Sequence, residues 1–416
     1  MTEALQKRVR MTGREWMVVA LLAISTLINY VDRTNLSLAL PLIERQFTLT
    51  PYEIASLLAA FFWTYALLQL FGITGWLCDR FQPGWVLFFG FLLWTVATAG
   101  TGLTTTFAGL FMLRLLLGAG ETVAYPCYSR VFATMPQEHR GRANALIDVG
   151  AKLGPAAASF AGGLVLVHFG WRMLFLGLGL GGMLWLAPWW KAMPRVEPNP
   201  RESAAVAAQL AFKILRLRCA WGTFLGHFSG NYFFYFLLAW LPRYLVQEEH
   251  LSIQFMSRVT TVLYLLIALT TMSAGWTSDR LIASGVSPSI VRRSMTGGGL
   301  ALASSLVLFP LLHAYPIATF VLLALSSVGY GAFSSNHWAI AQTLAGPTMA
   351  GRWSSLQNGV ANFSGIAAPW VAGLALERYG NSRLAFAVAG VVAFAGALSW
   401  MFLVRKVEPV DWGVSR

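Results

Sequence analysis

Long apolar runs dominate this sequence and restrict what it can fold into. Stretches of 20 or more residues, rich in Leu, Ala, Gly and Phe, recur along the whole chain. A run of about 20 apolar residues is long enough to cross the hydrocarbon core of a bilayer as an α-helix. Only 11% of the 416 residues are charged, whereas a soluble domain is about a quarter charged. The sequence therefore predicts a protein that crosses a membrane many times.

The spanning segments are predicted to be helices. Every backbone amide in the bilayer core needs an internal hydrogen-bond partner, so only helices and closed barrels cross it. The apolar runs are continuous and lack the period-two alternation of barrel strands. We therefore predict an all-α polytopic membrane protein. Its twelve candidate spans are 16–40, 54–76, 84–103, 108–130, 141–166, 171–190, 218–245, 255–277, 290–312, 316–342, 351–376 and 383–405.

A polar segment divides the spans into two sets of six. It covers about 191–217 and has the composition of a linker. The predicted domains are an N-terminal six-helix half at 1–190, a cytoplasmic linker at 191–217 and a C-terminal six-helix half at 218–416.

Short motifs repeat between the two halves, which predicts that they are pseudo-symmetric. The sequence GWLCDR at 75–80 recurs as GWTSDR at 275–280, and Asn29-Tyr30 is echoed by Asn231-Tyr232. Paired six-span halves are typical of transporters that hold the substrate near the membrane midplane, between the halves.

The basic residues indicate the orientation of the chain. Twenty-one of the 30 Lys and Arg residues lie on the side of the two termini, six lie on the opposite side, and Arg33, Arg114 and Lys152 lie inside spans. Cytoplasmic loops carry the excess of Lys and Arg, so both termini are predicted to be cytoplasmic. The net charge of +13 is thereby explained by topology, and we expect no nucleic-acid partner.

The fourth span contains two charges that are costly inside a membrane. Arg114 and Glu121 are seven residues apart, which places them on one helical face, and Tyr125 extends the same face. A charge at the middle of a span costs about 2.5–3.5 kcal/mol on lenient scales, so such residues usually carry function. A static ion pair between helices is the alternative interpretation.

A carboxylate substrate in the membrane would need a fixed cation, and Arg114 and Lys152 are the candidates. The alternative for Lys152 is an ion pair with Asp148, one helical turn away. We further hypothesise that Glu121 pairs with Arg114 in the empty state, then exchanges this partner for the substrate and takes a proton. Tyr65, Tyr125 and Tyr235 are candidates to line the cavity, because their hydroxyl groups need partners when buried. Trp338 is a further candidate.

Motifs along nearly the whole chain resemble a known family. Twelve spans, a long central loop and Gly75, Asp79, Arg80 and Gly84 between spans two and three resemble the major facilitator superfamily. Further motifs resemble its anion:cation symporter branch, which includes sugar-acid/proton symporters for galactonate and hexuronates, vesicular glutamate transporters and sialin. These motifs are Asn29 to Arg33, Arg114 to Glu121 to Tyr125, Asn231 to Tyr235 to Trp240-Leu241-Pro242, and Trp338 to Gln357-Asn358 to Asn362.

The resemblance implies alternating access without covalent chemistry, and it implies roles for particular residues. Asp32 and Glu121 match the proton-coupling carboxylates of the branch. The residues predicted to bind the substrate or its polar surroundings are Tyr30, Arg33, Tyr65, Arg114, Tyr125, Lys152, Tyr235, Trp338 and Asn362. At the position of Lys152 a galactonate-type transporter has glutamine, so this lysine favours an anion while leaving its identity open.

Charged residues at the predicted cytoplasmic helix ends suggest a gate. Ion pairs among them would latch the halves in the outward-open state, although positive-inside topology alone would also place basic residues there. The predicted gate residues are Asp79, Arg80, Arg142, Asp279, Arg280 and Arg352.

The leading hypothesis is a proton-coupled importer of a small organic anion such as a hexonate or hexuronate. Alternatives are an aromatic or dicarboxylic acid as substrate, export instead of import, and a non-transporting membrane sensor on the same scaffold. No catalytic triad, metal cluster or phosphate-binding loop is evident, so we expect no enzyme activity, no metal and no cofactor besides the coupling proton. The expected partners are the substrate, protons and lipid, and we expect a monomer in the inner membrane.

Overall fold

The computed structural model describes residues 11–135, 137–196 and 212–412. Within these ranges the chain is almost entirely helical and contains no β-strand. The predicted all-α architecture is therefore confirmed, as expected for a chain whose backbone must satisfy its hydrogen bonds inside a bilayer.

The described residues form two compact units. The first contains 11–48, 63–135, 137–196 and 252–261, and the second contains 49–62, 212–251 and 262–412. Each unit thus includes the first turns of one span whose remainder belongs to the other unit. The domain boundaries proposed from chain order, with a linker at 191–217, stay a prediction, and residues 197–211 of that linker lie outside the described ranges.

The first six predicted spans all lie on helices. Their bounds are Gly13–Phe47, Pro51–Leu70, Ile73–Arg80, Pro83–Leu103, Phe107–Glu121, Ala124–Ala133, Gln137–Ala157, Gly163–Met183 and Leu186–Ala192. A π-helical turn, Ala158–Gly162, joins two of these helices.

The last six predicted spans are helical as well, with more interruptions. Their α-helices are Arg218–Arg243, Ile253–Ala283, Pro288–Arg293, Gly299–Ala303, Phe309–Leu312, Pro316–Ser334, His337–Asn362, Ser364–Tyr379 and Arg383–Leu398. The π-helical turns are Tyr244–Glu248, Ser294–Gly298 and Ser399–Leu403, and Ser304–Leu308 is a 3₁₀ helix.

Ten helical stretches in the described part of the chain are long and apolar enough to cross a membrane. One of them, Leu146–Ala192, is 47 residues long and contains two predicted spans. These spans meet at Gly170, whose φ of 76° and ψ of 175° interrupt the helix. The seventh predicted span is the 26-residue helix Arg218–Arg243, which is not among the ten and carries the polar residues His227 and Asn231. The two findings together account for twelve spans.

Pairs of glycines bring helices into backbone contact at corresponding places in the two units. A Cβ on Gly90 would lie 2.8 Å from the carbonyl oxygen of Gly120, and one on Gly120 would lie 2.8 Å from that of Gly90. In the second unit, Gly299 and Gly329 show the same reciprocal contact, at 2.7 and 2.6 Å. Small residues permit such close crossings in membranes, where packing drives helix association. The internal repeat is thus present in the packing as well as in the sequence.

The tenth predicted span, 316–342, is not one continuous helix. It ends at Ser334 and restarts at His337. In between, the side-chain amide of Asn336 donates through Nδ2 to Ser335 Oγ at 2.8 Å, and Ser278 Oγ donates to Asn336 Oδ1 at 2.9 Å. These side chains hydrogen-bond where the helix is broken, which is how polar residues make a break tolerable at membrane depth.

Candidate functional site

The first unit contains a buried ion pair between two spans. Arg33 Nε, in the first span, lies 2.9 Å from Glu121 Oε2, at the end of the helix Phe107–Glu121. Their side chains are 3% and 0% exposed. Charges removed from water in this way require a partner, so the pair holds both helices in a defined register.

Arg114 and Glu121 lie on the same helix, two turns apart, and both are buried, as the spacing predicts. Glu121 accepts a hydrogen bond from Arg33, which the sequence did not predict, and its pairing with Arg114 stays a prediction. Arg114 acts electrostatically on both Glu121 and Asp32. The partner was missed because sequence spacing reveals neighbours on one helix, whereas Arg33 belongs to another.

Aromatic rings enclose the Arg33 guanidinium. Its central carbon lies 5.0 Å from the ring centroid of Tyr30 and 4.6 Å from that of Tyr65. Thr122 Oγ1 donates a hydrogen bond to the backbone carbonyl of Tyr65, at 3.2 Å, which fixes the helix that carries this ring. Tyr125 interacts with Tyr30. The tyrosines predicted for the first unit therefore gather around one arginine, where cation–π attraction stabilises the charge.

The side chain of Asp32 has different partners from that of its neighbour Arg33. It is 2% exposed and lies beside Thr98, with Arg114 as its electrostatic counterpart. Asn29, on the same helix one turn earlier, is 1% exposed and interacts with Glu121. The first span therefore directs one carboxylate and one guanidinium into a single polar interior.

Lys152 and Asp148 lie one turn apart on the helix Gln137–Ala157. Lys152 is half-buried, Asp148 is accessible, and the two interact electrostatically. The arrangement is compatible with both interpretations of Lys152, as a substrate ligand or as an ion-pair partner.

In the second unit, two predicted site residues are joined directly. Tyr235 donates a hydrogen bond to Asn362 Oδ1 at 3.0 Å, and the Asn362 amide donates to the carbonyl of Asn358 at 2.8 Å. The Tyr235 ring packs on Phe62 with ring centroids 4.5 Å apart. Both polar residues are buried. This part of the second unit offers neutral hydrogen-bonding groups.

Trp338 belongs to a cluster that the sequence did not predict. Its ring contacts those of His227 and His337, with centroids 4.9 and 5.0 Å apart, and Gln357 Nε2 lies 3.3 Å from His227 Nδ1. Polar residues in apolar runs were the available signal, but nothing in the sequence indicates that they meet.

The predicted gate is described only in part. Arg80, Asp279 and Arg280 are exposed, and the Arg280 guanidinium lies 3.6 Å from the ring centroid of Trp276. Arg352 is half-buried and approaches Met349 Sδ at 3.8 Å. The side chains of Asp79 and Arg142 lie outside the described residues. The latch stays a prediction.

The chemistry available to this arrangement is ionic binding and proton transfer. Arg33 is paired with Glu121, and Arg114 interacts electrostatically with Asp32 and Glu121, so two cations lie beside two carboxylates in the first unit. In the part of the chain that is described, no group of three or more His, Cys, Asp or Glu residues could hold a metal ion. The site is suited to an anion that competes with a carboxylate for guanidinium groups.

Transporters of known name are similar to this chain in sequence over nearly its whole length. The D-galactonate transporter of Escherichia coli O6:H1 is 28% identical, over 95% of this chain and 97% of that protein. The hexuronate transporter of Bacillus subtilis (strain 168) is 26% identical over 94% of each chain. A probable galactarate/D-glucarate transporter of Escherichia coli K12 is 26% identical, over 95% of this chain and 96% of that protein.

Solved structures agree on the fold. A bacterial homolog of the human lysosomal transporter Spinster, in an inward-facing and unoccupied conformation, superposes with a TM-score of 0.79 at 16% identity, over 95% of this chain and 98% of that chain. A D-xylose-proton symporter gives 0.73 at 15% identity, over 94% and 98%. The model of the Major Facilitator Superfamily matches residues 22–369, which confirms the resemblance and the multi-pass membrane location. The chain belongs to the major facilitator superfamily.

Proposed function

We propose that this protein is a proton-coupled symporter that imports a small organic anion, a sugar acid such as a hexonate or hexuronate, by alternating access. The observation that carries the proposal is the buried Arg33–Glu121 pair with Arg114 and Asp32 beside it. The named substrates of the similar transporters, galactonate and hexuronates, support the substrate class.

An anion that enters a membrane protein loses its hydration and needs charged donors in exchange. Arg33 is 6% and Arg114 3% exposed, so little water competes for their guanidinium groups. Arginine binds a carboxylate through two parallel hydrogen bonds, which gives both strength and orientation. We assign carboxylate binding to these two residues, with Tyr30 and Tyr65 around Arg33.

Charge balance connects substrate binding to protons. Without substrate, the charges of Arg33 and Arg114 offset those of Asp32 and Glu121. A bound monoanion leaves one uncompensated negative charge in a region of low dielectric constant, which favours protonation of one carboxylate. Glu121 is the candidate that exchanges partners, because an anion that takes Arg33 removes its hydrogen-bonded cation. Asp32 would hold a second proton or control the gate.

A proton gradient can supply the work. One elementary charge moving through 100 mV is worth about 2.3 kcal/mol, which corresponds to roughly fiftyfold accumulation. This holds when the cycle moves one net positive charge inward. The direction of import, the inner-membrane location with both termini cytoplasmic, and a monomeric state belong to the same proposal.

The test is uptake into proteoliposomes of labelled D-galactonate and D-glucuronate under an imposed proton gradient. Wild-type protein should concentrate at least one of them. Glu121→Gln should abolish accumulation while retaining exchange of labelled for unlabelled substrate, since exchange needs no net proton movement. Glu377→Gln is the control, because this carboxylate is exposed in the second unit.

Accumulation by Glu121→Gln at the wild-type level would rule out the coupling role. Failure of wild-type protein to take up either acid, at any pH, would rule out the substrate class.

A dicarboxylic sugar acid is the second candidate, and Lys152 is the observation that favours it. Lys152, the third basic residue inside the predicted spans, would compensate a second carboxylate if it left Asp148. The similar probable galactarate/D-glucarate transporter supports the same class. In the same assay, preference for galactarate over galactonate that is lost in Lys152→Gln would establish this candidate over the first.

A further inference from the structure

A groove opens on the surface of the second unit, between the helix Arg218–Arg243 and the last helix of the chain. It runs along the end of Arg383–Leu398 and the π-helical turn Ser399–Leu403, and its volume is about 380 Å³. That volume is within the range of small-molecule sites. Leu225 and Leu398 on its rim are 44% and 42% exposed. Because these apolar side chains belong to predicted spans, the groove opens toward lipid.

Glycines hold the two helices close together beside the groove. A Cβ on Gly222 would lie 2.7 Å from Val404 Cγ2, and one on Gly226 would overlap the ring of Trp400. Ser399 Oγ also donates to the carbonyl oxygen of Gly222 at 2.9 Å. Small residues allow backbones to approach in this way, while larger side chains on the flank stand apart. The groove is therefore a product of the helix packing.

The walls of the groove are apolar. The lining side chains are Leu, Phe and Ala, with two serines among them. Ser229 Oγ donates to the carbonyl oxygen of Leu225 at 2.9 Å, and Ser399 Oγ to that of Gly222. Both hydroxyl hydrogens are thus used inside the protein. A fatty acyl chain suits such walls, because it requires no hydrogen-bond partner.

Basic side chains surround one end of the groove. Arg218 Nη2 donates to the carbonyl oxygen of Phe402, which lines the groove, at 3.4 Å. Arg293 donates to the carbonyl oxygens of Met401 and Arg405 and adds a further positive charge there. The described residues 212–221 and 401–407 contain no Asp or Glu. The exposed cations in these two segments are Lys213, Arg216, Arg218, Arg405 and Lys406.

Trp221 indicates how the groove lies in the membrane. Its Nε1 donates to the carbonyl oxygen of Leu215 at 2.8 Å, and the residue is 43% exposed. Tryptophan is enriched at the membrane–water interface, where the ring contacts lipid and the polar edge finds a partner. Leu225, one helical turn later, lines the groove. The groove thus begins near the level of the lipid headgroups and continues toward the hydrocarbon.

We propose that this groove binds one phospholipid with an anionic headgroup, with an acyl chain along its walls and the headgroup between Arg218 and Arg405. Basic residues beside a pocket between membrane helices are suited to anionic headgroups. Positive-inside topology would place basic residues at these helix ends, but it does not create an apolar groove that leads to them. The site belongs to the second unit and is independent of the transported substrate.

Native mass spectrometry of the delipidated full-length protein tests this directly, because it counts bound lipids. The protein would be titrated with palmitoyl-oleoyl phosphatidylglycerol and, separately, with the phosphatidylcholine that has the same chains. One phosphatidylglycerol should bind at concentrations at which phosphatidylcholine does not. The double variant Arg218→Gln/Arg405→Gln should reduce this preference by about fivefold for each cation removed, the usual effect of one basic residue on anionic lipid.

Arg378→Gln/Arg383→Gln is the matched control and should retain the preference. It removes two exposed arginines from the same unit, and Arg383 begins the helix whose other end forms the groove. Ala395→Phe should weaken binding of both lipids, because it fills the groove and leaves the cations intact.

Equal binding of the two lipids by wild-type protein would overturn the proposal, even if a variant failed to fold. A preference that the matched control also loses would overturn it as well, because general surface charge would then explain it. So would displacement of the lipid by sn-glycerol 3-phosphate, which would show a site for the anion alone. A dimer mass that disappears in Ala395→Phe would overturn it too, because the groove would then hold a second copy of the chain.

Discussion

The two units share their helix packing but bury different chemistry. Gly90 and Gly120 in the first unit make the same reciprocal backbone contact as Gly299 and Gly329 in the second. The buried charges are distributed unequally. Of the five buried Asp, Glu, Lys and Arg residues in the described ranges, four lie in the first unit. The fifth, Arg243, ends its helix and bonds to Glu248.

This difference separates the helix packing, which both units retain, from the buried charges, which the proposed function requires in one of them. Backbone crossings between glycines depend on space alone, so both units retain them. A buried charge must be balanced within a few ångströms, and the first unit concentrates such balanced pairs. The second unit offers neutral donors and acceptors, represented by Tyr235 and Asn362. We therefore expect charge substitutions to have unequal effects in the two units and packing substitutions to have equal ones.

The largest effect should come from Arg33→Gln. It leaves Glu121 buried without its hydrogen-bonded cation, which typically lowers the free energy of unfolding by about 3–5 kcal/mol. Because Arg33 is also a proposed ligand of the substrate carboxylate, uptake should fall at least about a hundredfold. The matched variant is Arg243→Gln. Its pair with Glu248 is 3.3 Å long, and Glu248 also accepts a hydrogen bond from the backbone amide of Ser382 at 2.9 Å. This carboxylate therefore keeps a donor, and the variant should lower the free energy of unfolding less than Arg33→Gln does.

Both quantities are measurable in the same preparations, by initial uptake rates and by thermal unfolding in detergent. Equal losses in the two variants would contradict the contrast between the units.

An intermediate effect is expected from larger residues at the glycine crossings. Gly120→Val and Gly329→Val should each force the helices apart and lower the free energy of unfolding by about 1–3 kcal/mol. The double variant should show the sum, because the two crossings lie in separate units. Thermal unfolding of the single and double variants measures this. A unit that tolerated valine while the other did not would show that the shared packing has unequal energetic weight.

The smallest effect should follow from Tyr235→Phe. It removes one neutral hydrogen bond to Asn362, worth about 0.5–1.5 kcal/mol. We expect KM for the transported acid to rise several-fold, with the dependence of uptake on the proton gradient unchanged. Concentration series at two pH values separate these effects. Loss of the proton dependence in this variant would mean that the second unit takes part in coupling through Tyr235.

Hydropathy was sufficient to predict the helices of all twelve spans, because each must bury its backbone in lipid. It failed inside the tenth span for a physical reason. The break after Ser334 depends on side-chain hydrogen bonds from Ser278 and Asn336, which belong to different spans. The junction at Gly170 was located correctly, because it falls between the predicted spans 141–166 and 171–190.

The polar site was predictable as a set of residues but not as a set of contacts. Intramembrane charges identify themselves by their cost, which is why Arg114 and Glu121 could be selected from the sequence. Which cation bonds to which carboxylate depends on the packing of separate helices, and the hydrogen bond from Arg33 to Glu121 could not be found from spacing along one helix. The contact of His227 with His337 was unpredictable for the same reason.

The junction at Gly170 has a practical consequence for engineering this protein. Its backbone angles lie in a region that is almost exclusive to glycine, and helix continues on both sides of it. No flexible loop joins these two spans, so this junction is a poor site for proteolytic cleavage, antibody binding or insertion of an epitope tag. Labels for following the protein are better placed at the exposed left-handed turn at Gly285, where a helix has already ended.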